Sequence, residues 1–159
     1  MLPADYLSDI LPGDKACLWE RRLSRGIDRT KLNITLAFAD TELAGFACFL
    51  FDEETEFGTY LHNLYVDPNH RGKGVACSLL AAGIHGFPAQ RRDQPVHLLT
   101  LADNHPACRF YERLNGNMLG EKRNVMARYP DVAYVRYQWR SANELAEIAR
   151  KATGAAGAV

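Results

Sequence analysis

The chain has 159 residues, enough for one domain with a sizeable core, and its 47% hydrophobic and 24% charged content is that of an ordinary globular protein. Nineteen Lys and Arg balance nineteen Asp and Glu, so the formal net charge is zero, which excludes bulk attraction to nucleic acid or to a membrane surface. No run of eighteen apolar residues occurs, so no spanning helix is expected.

The opening stretch, "MLPADYLSDILPGDK", lacks a basic head and an apolar centre and does not read as a secretory signal. Residues 3–25 are expected to form two short helices broken at Pro12 and Gly13, with Leu18, Trp19 and Leu23 as an apolar stripe. "LNITLAFAD" and "ELAGFACFLF" read as two strands around a turn at Asp40 and Thr41. The acidic stretch "DEETEFG", with Glu53, Glu54 and Glu56, reads as a solvated loop leading into a third strand, "TYLHNLYV". A glycine-containing turn follows, then a helix to about Gly86, closed by "GFP". "VHLLTLA" reads as a buried strand. "NHPACRFYERLNG" reads as a helix that tolerates Pro106 in its first turn and ends at Gly116. "NMLGEKR" and "VAYVRYQWR" are the last expected strands, "SANELAEIAR" the last helix, and "KATGAAGAV" a mobile tail.

This order of helices, antiparallel meander, strand–helix–strand–helix and closing hairpin predicts an α/β or α+β fold with a mixed sheet. The strand–helix–strand part should form a right-handed parallel crossover. No linker or repeat divides the chain. The four cysteines, Cys17, Cys48, Cys77 and Cys108, form no Cys-x-x-Cys pair. They are expected to be reduced and mostly buried thiols, in keeping with a cytoplasmic location. No metal site is expected.

The informative stretch is "VDPNHRGKGVACSLL", residues 66–80. It places Arg71, Gly72, Lys73 and Gly74 between a strand and a helix. A helix start leaves four backbone N–H groups without internal partners and carries a partial positive charge. Glycine lets the backbone approach an anion, so the stretch reads as a phosphate site. The P-loop pattern is absent. The dinucleotide pattern G-x-G-x-x-G begins as Gly72-x-Gly74 but meets Cys77 in its third place, and its first glycine comes five residues after the strand.

Arg71-x-x-Gly74-x-Ala76 resembles the Q/R-x-x-G-x-G/A motif of the GNAT superfamily of N-acetyltransferases. "NHPACRFYERLNG" resembles a second signature of that superfamily, N-x-x-A-x-x-F-Y-E-x-x-G, through Asn104, Ala107, Phe110, Tyr111 and Glu112, with Gly116 one place later than usual. The likeness covers roughly residues 2–139. It implies a GNAT fold: a mixed, mostly antiparallel sheet with a central parallel pair splayed around the cofactor, in one acetyltransferase domain over residues 1–140, followed by a C-terminal helix and tail over 141–159.

The resemblance also implies the chemistry. Amides of Arg71, Gly72, Lys73, Gly74, Val75 and Ala76 would hold the pyrophosphate of acetyl-CoA. Leu64, Tyr65 and Val66 would splay from "LLTLA" to admit the pantetheine arm, and Asn104 would hydrogen-bond that arm or a water. Tyr111 would protonate the departing thiolate. A thiol near 8.5 and a phenol near 10 are not badly mismatched. The acceptor would be a primary amine on a small molecule or peptide. Many relatives carry a glutamate as base where this chain has Tyr60. Strand alternation places Tyr60, His62, Leu64 and Val66 on one face, so His62, with a reference pKa near 6.5, is the candidate base. The acidic loop would draw a cationic acceptor.

Two further expectations concern the start of the chain. Relatives with a "LPADYL…W" segment usually carry an earlier strand and helix. Their absence here would expose the edge of "LNITLAFAD" and favour a homodimer. Two rival functions remain: a binding module holding acyl-CoA without turnover, and a nucleotide-dependent oxidoreductase using Asp103 as its ribose acid.

Overall fold

A computed structural model describes Glu20, Gly26 and residues 28–123, 125–126 and 129–156. Apart from Glu20, the helices expected over residues 3–25 lie outside the described residues, as does Cys17.

β1 (Leu32–Ala39) and β2 (Glu42–Leu50) form a hairpin about Asp40 and Thr41, with Asp40 in the left-handed region at φ 53°. Alternation along β1 divides its side chains. Leu32, Ile34, Leu36 and Phe38 share one face, while Asn33 and Thr35 meet the glycines of a helix on the other. β2 is buried on both sides. Ala47 and Phe49 enter the main core, and Cys48 and Leu50 a smaller cluster on the opposite face. β3 (Thr59–Val66) continues the meander, with Gly45 opposite Val66 and Leu50 opposite Tyr60.

After β3 come α1 (Val75–His85), the short α2 (Ala89–Arg92), β4 (Val96–Leu101), α3 (His105–Arg113), β5 (Asn117–Lys122), β6 (Tyr134–Trp139) and α4 (Ala142–Ala156). The sheet order is β1-β2-β3-β4-β6-β5, and β3–β4 is its parallel pair. α2 was not expected from the sequence. Its Arg92 reaches back to the carbonyls of His85 and Phe87, placing a cation at the C-terminal end of α1.

α1 and α4 cover one face of the sheet. Leu79, Leu80 and Ile84 of α1 and Leu145 and Ala149 of α4 join Phe49, Leu61 and Leu98 in one core. Burying each of these leucines fully contributes about 1.5–3 kcal/mol. The tail expected from residue 151 onward is a correction: α4 runs on to Ala156, because Ala149 and Ala152 keep its inner face on the core while Gly154 faces solvent.

The second correction lies in β3. Cys48 pairs with Asn63 and Phe49 with Leu61, so His62 is an extra residue, a β-bulge. The bulge breaks the expected alternation. Leu61, Leu64 and Val66 pack on the face of α1, whereas Tyr60 packs with Leu32, Cys48 and Leu50 on the other. His62 stays with Tyr60, its ring edge-on at 5.6 Å.

Thr59 is fully buried, and its hydroxyl has no partner among the described residues. Thr59→Val keeps the shape and removes that oxygen. It is expected to stabilise the fold by about 1 kcal/mol, a rise of about 2–4 °C in a thermal melt. A fall in Tm would show that the hydroxyl is bonded.

Candidate active site

The sheet opens at its parallel pair. Thr59 lies opposite Val96 and Tyr60 opposite His97, and no later residues of β3 and β4 are in register. Beyond Tyr60, β3 stays with β2 and β4 turns away with β6. The two facing strand edges thus part, and beside the freed end of β3 lies a cleft of about 1100 Å³.

One end of the cleft is the start of α1. Asp67 caps a short 3₁₀ turn, Pro68–His70, by accepting from the Asn69 N–H at 2.9 Å. Arg71 folds back so that Nε donates to the carbonyl of Val66 at 3.3 Å, tying the loop to the end of β3. Gly74 is the N-cap of α1, at φ 78°, and offers no side-chain cap to the first-turn amides. Its positive φ, more than crowding, calls for glycine: a Cβ there would meet only a Thr153 methyl, at 3.5 Å. The amides of the first helical turn are left for an anion.

The side walls come from β3 and α3. Leu64, Tyr65 and Val66 line the cleft, as do Arg71, Gly72, Gly74, Val75 and Ala76 from the loop and helix start, and Asn104 and Tyr111 from the second signature. The structure thus brings together every residue expected to bind cofactor except Lys73, which is exposed and does not line the cleft. His62 does not line it either, since the bulge leaves it on the opposite side of the sheet from Leu64. Arg113, near the far end of α3, also lines the cleft. It carried no motif signal, and only its spacing of three from Phe110 hinted at it.

The second signature now has physical reasons. Asn104 is the N-cap of α3, its Oδ1 accepting from the Ala107 N–H at 3.3 Å. Glu112 accepts from the Tyr137 hydroxyl at 3.0 Å, pinning α3 to β6. Trp139 Nε1 donates to the carbonyl of Leu114 at 2.7 Å. Gly116 is required by close packing, because a Cβ would sit 2.9 Å from the Trp139 ring and from the carbonyl of Tyr111. Tyr111 packs its ring against Tyr137 and Trp139, centroids 5.7 and 6.2 Å away. Its hydroxyl hydrogen-bonds none of the described residues. Burial pushes the phenol up to about 12, so its match to a thiolate is poorer than its ordinary value suggests.

The acidic loop needs correction too. Glu54 is only partly solvated: its oxygens accept from Lys122 Nζ at 2.7 Å and Arg136 Nη2 at 2.6 Å. Glu53 and Glu56 are exposed.

The cleft therefore offers an uncapped helix start at one end, an apolar channel along β3 and α3, and a phenol within. That arrangement suits a ligand with an anionic group at one end and a thin, apolar arm at the other. The sequence profile of the Acetyltransferase (GNAT) family matches residues 5–116. The chain belongs to the GNAT acetyltransferase family. A comparison with curated proteins finds no match. Solved structures with the same fold include a protein from Desulfovibrio desulfuricans assigned to the GNAT acetyltransferases, 21% identical, with TM-score 0.67 and 89% of this chain and 94% of that chain covered. Another, from Bacillus anthracis, is assigned as a streptothricin acetyltransferase and was solved in complex with acetyl coenzyme A. It is 21% identical, with TM-score 0.61 and 72% and 65% covered. The Escherichia coli ribosomal-protein-S18-alanine N-acetyltransferase is 21% identical, with TM-score 0.54 and 68% of each chain covered. The sheet order, with one parallel pair among the described residues, is not the parallel sheet a dinucleotide fold requires, which removes the oxidoreductase alternative and with it the ribose role of Asp103.

Proposed function

We propose that the protein transfers the acetyl group of acetyl-CoA to a primary amine by direct attack in a ternary complex. The observation that carries this reading is the parting of β3 and β4 beside the uncapped start of α1, with the Tyr111 hydroxyl, which bonds none of the described residues, in the same cleft. The residues fit the co-substrate: first-turn amides for the pyrophosphate, Leu64 and Val66 for the apolar arm, and the Asn104 side-chain amide for its polar groups. Bound acetyl-CoA supplies an activated acyl carbon and a thiolate leaving group. Tyr111 donates a hydrogen bond where negative charge develops on sulfur. His62, beside Tyr60 on the opposite face of the sheet, takes the proton, directly or through a water, of an amine that enters from that face where β3 and β4 part. The Bacillus anthracis protein, with acetyl coenzyme A bound, and the Escherichia coli alanine N-acetyltransferase support the choice of donor and of an amine acceptor.

One observation favours a second reading, an acyl-CoA-binding module without turnover. Tyr60 stands where relatives carry an acid, and burial pushes it up to about 12, so it supplies no base at neutral pH. A thiol-release assay across antibiotic, polyamine, amino-acid and peptide amines separates the two. Release with at least one amine class supports the enzyme. Acetyl-CoA binding with no release above the hydrolytic background supports the module.

Self-association belongs to the same proposal. Among the described residues β1 is the sheet edge, and Leu36 and Phe38 on its outer face are exposed. A two-fold dimer through this edge should appear in sedimentation at high concentration; a monomer throughout would remove it.

A further inference from the structure

A cluster of titratable side chains outside the cleft sits on the other face of the sheet, where β3 and β4 still pair. Arg136 of β6 is only 5% exposed. Its Nη1 donates to His97 Nδ1 at 2.6 Å and its Nη2 to Glu54 Oε2 at 2.6 Å, while Lys122 of β5 holds the other Glu54 oxygen. The guanidinium lies 3.8 Å from the centroid of the Phe57 ring. Gln138 Nε2 donates to the Phe57 carbonyl at 3.0 Å, clamping the acidic loop onto the sheet. Burial pushes the Glu54 carboxyl up, but the hydrogen bonds from Lys122 and Arg136 outweigh it and hold the group below its ordinary range.

Arginine has no acceptor, so His97 Nδ1 must accept, and the ring is neutral with its proton on Nε2. Burial first, then the Arg136 charge, lowers the ring to about 4. That neutral ring stacks on Tyr60, centroids 5.0 Å apart and planes within 10°, and Tyr60 meets His62 edge-on at 5.6 Å. Tyr60 and His97 are also the last pair in register before the strands part. A buried ionic network of this kind is poor value as a stabiliser, since well-packed apolar residues do as well or better. What it does supply is a fixed orientation.

We propose that Arg136 is a positioning residue for acetyl transfer: anchored by Glu54, it locks the His97 ring in one tautomer and plane, and so fixes Tyr60, and through Tyr60 His62, on the acceptor side of the point where β3 and β4 part. The proposal rests on the acetyltransferase reading above. It explains how the position that carries an acid in relatives is held rigid here by rings instead.

Two variants test it. Arg136→Lys keeps the charge, but an ammonium lacks the planar fork that holds His97 and Glu54 together. Glu54→Gln, at a less buried position, keeps an acceptor and removes the anchoring charge. The first measurement needs no acceptor: long-range ¹H–¹⁵N spectra of the histidine rings. In the wild type His97 should be the neutral Nε2–H form at pH 7 and should titrate only as the pH approaches 4. In both variants the other tautomer should appear. The second measurement is turnover with the acceptor found in the thiol-release assay. Acceptor kcat/KM should fall about 10²-fold in Arg136→Lys, with the same effect in smaller measure in Glu54→Gln. Acetyl-CoA affinity should be unchanged, and Tyr60→Leu should add no further loss to Arg136→Lys.

A wild-type His97 protonated on Nδ1 at pH 7 overturns the proposal. So does a loss of turnover that tracks acetyl-CoA affinity and thermal stability, or one that multiplies with the Tyr60→Leu loss. Intact acetyl transfer in either variant after the tautomer has changed overturns this proposal alone. A wild type that binds acetyl-CoA but acetylates no amine overturns the acetyltransferase reading, and this proposal with it.

Discussion

Gly74→Glu is expected to abolish the stabilisation that coenzyme A confers on the wild-type protein. With ligand at a hundred times its dissociation constant, linkage gives about 2.7 kcal/mol, and each kcal/mol moves Tm by about 2–4 °C in a domain of this size. Gly74 is the N-cap of α1 and sits beside the amides proposed to receive the pyrophosphate. A carboxylate there would put negative charge against negative charge where the helix start has its own partial positive charge. The substitution also imposes a left-handed φ of 78° on a residue with a Cβ, which costs about 1–2 kcal/mol whatever the charge. Gly74→Ala separates the two effects. It carries the same backbone cost, and its methyl has room beside Thr153, so it should melt lower than wild type yet keep a clear coenzyme A shift. If folded Gly74→Glu keeps the full shift, the phosphate site lies elsewhere.

The parts of this site legible in the sequence are those set by local rules. A strand, a glycine turn and a helix follow one another within residues 59–85, so the uncapped helix start beside the cleft could be read from spacing alone. Asn104 could be read as a helix start because capping acts over three residues, and it does accept from Ala107. The hairpin at Asp40 and the alternation of β1 were legible for the same reason.

What was hidden is set by contacts distant in the chain. The bulge at His62 leaves no mark in "TYLHNLYV", since one extra residue shows only against the partner strand, where Phe49 lies opposite Leu61 and its neighbour Cys48 opposite Asn63. It decides the site nonetheless, because it sends Leu64 and Val66 into the cleft wall or core and leaves His62 beside Tyr60. Glu54 looked like one more carboxylate in an acidic loop. Its partners, Lys122 and Arg136, come 68 and 82 residues later. "KATGAA" looked like a tail because of its glycine, but packing of Ala149 and Ala152 on the core outweighs a helix cost of about 1 kcal/mol at Gly154.

Tyr111→Phe is expected to separate binding from chemistry. The ring stays against Tyr137 and Trp139, and the oxygen removed bonds none of the described residues, so Tm and acetyl-CoA affinity should hold. Turnover should fall by about 10²–10⁴ if the phenol is the group that meets the departing sulfur. Because burial raises Tyr111 to about 12, complete proton transfer to an ordinary thiolate near 8.5 is uphill by about 3.5 units, or about 4.8 kcal/mol. The phenol is therefore worth most as a hydrogen-bond donor to developing charge, where a raised value keeps it protonated. Its contribution should then be constant from pH 6 to about 10 and decline only as pH climbs towards 12, where the wild-type phenol itself ionises. His62→Ala should behave differently: its defect should shrink as pH rises, because more of the acceptor amine is already neutral and needs no base. A pH–rate series on both variants with one good acceptor reads the two slopes together. Full turnover by Tyr111→Phe throughout that range would make Tyr111 a packing residue of α3, and the proton donor would have to be sought among the other groups of the cleft.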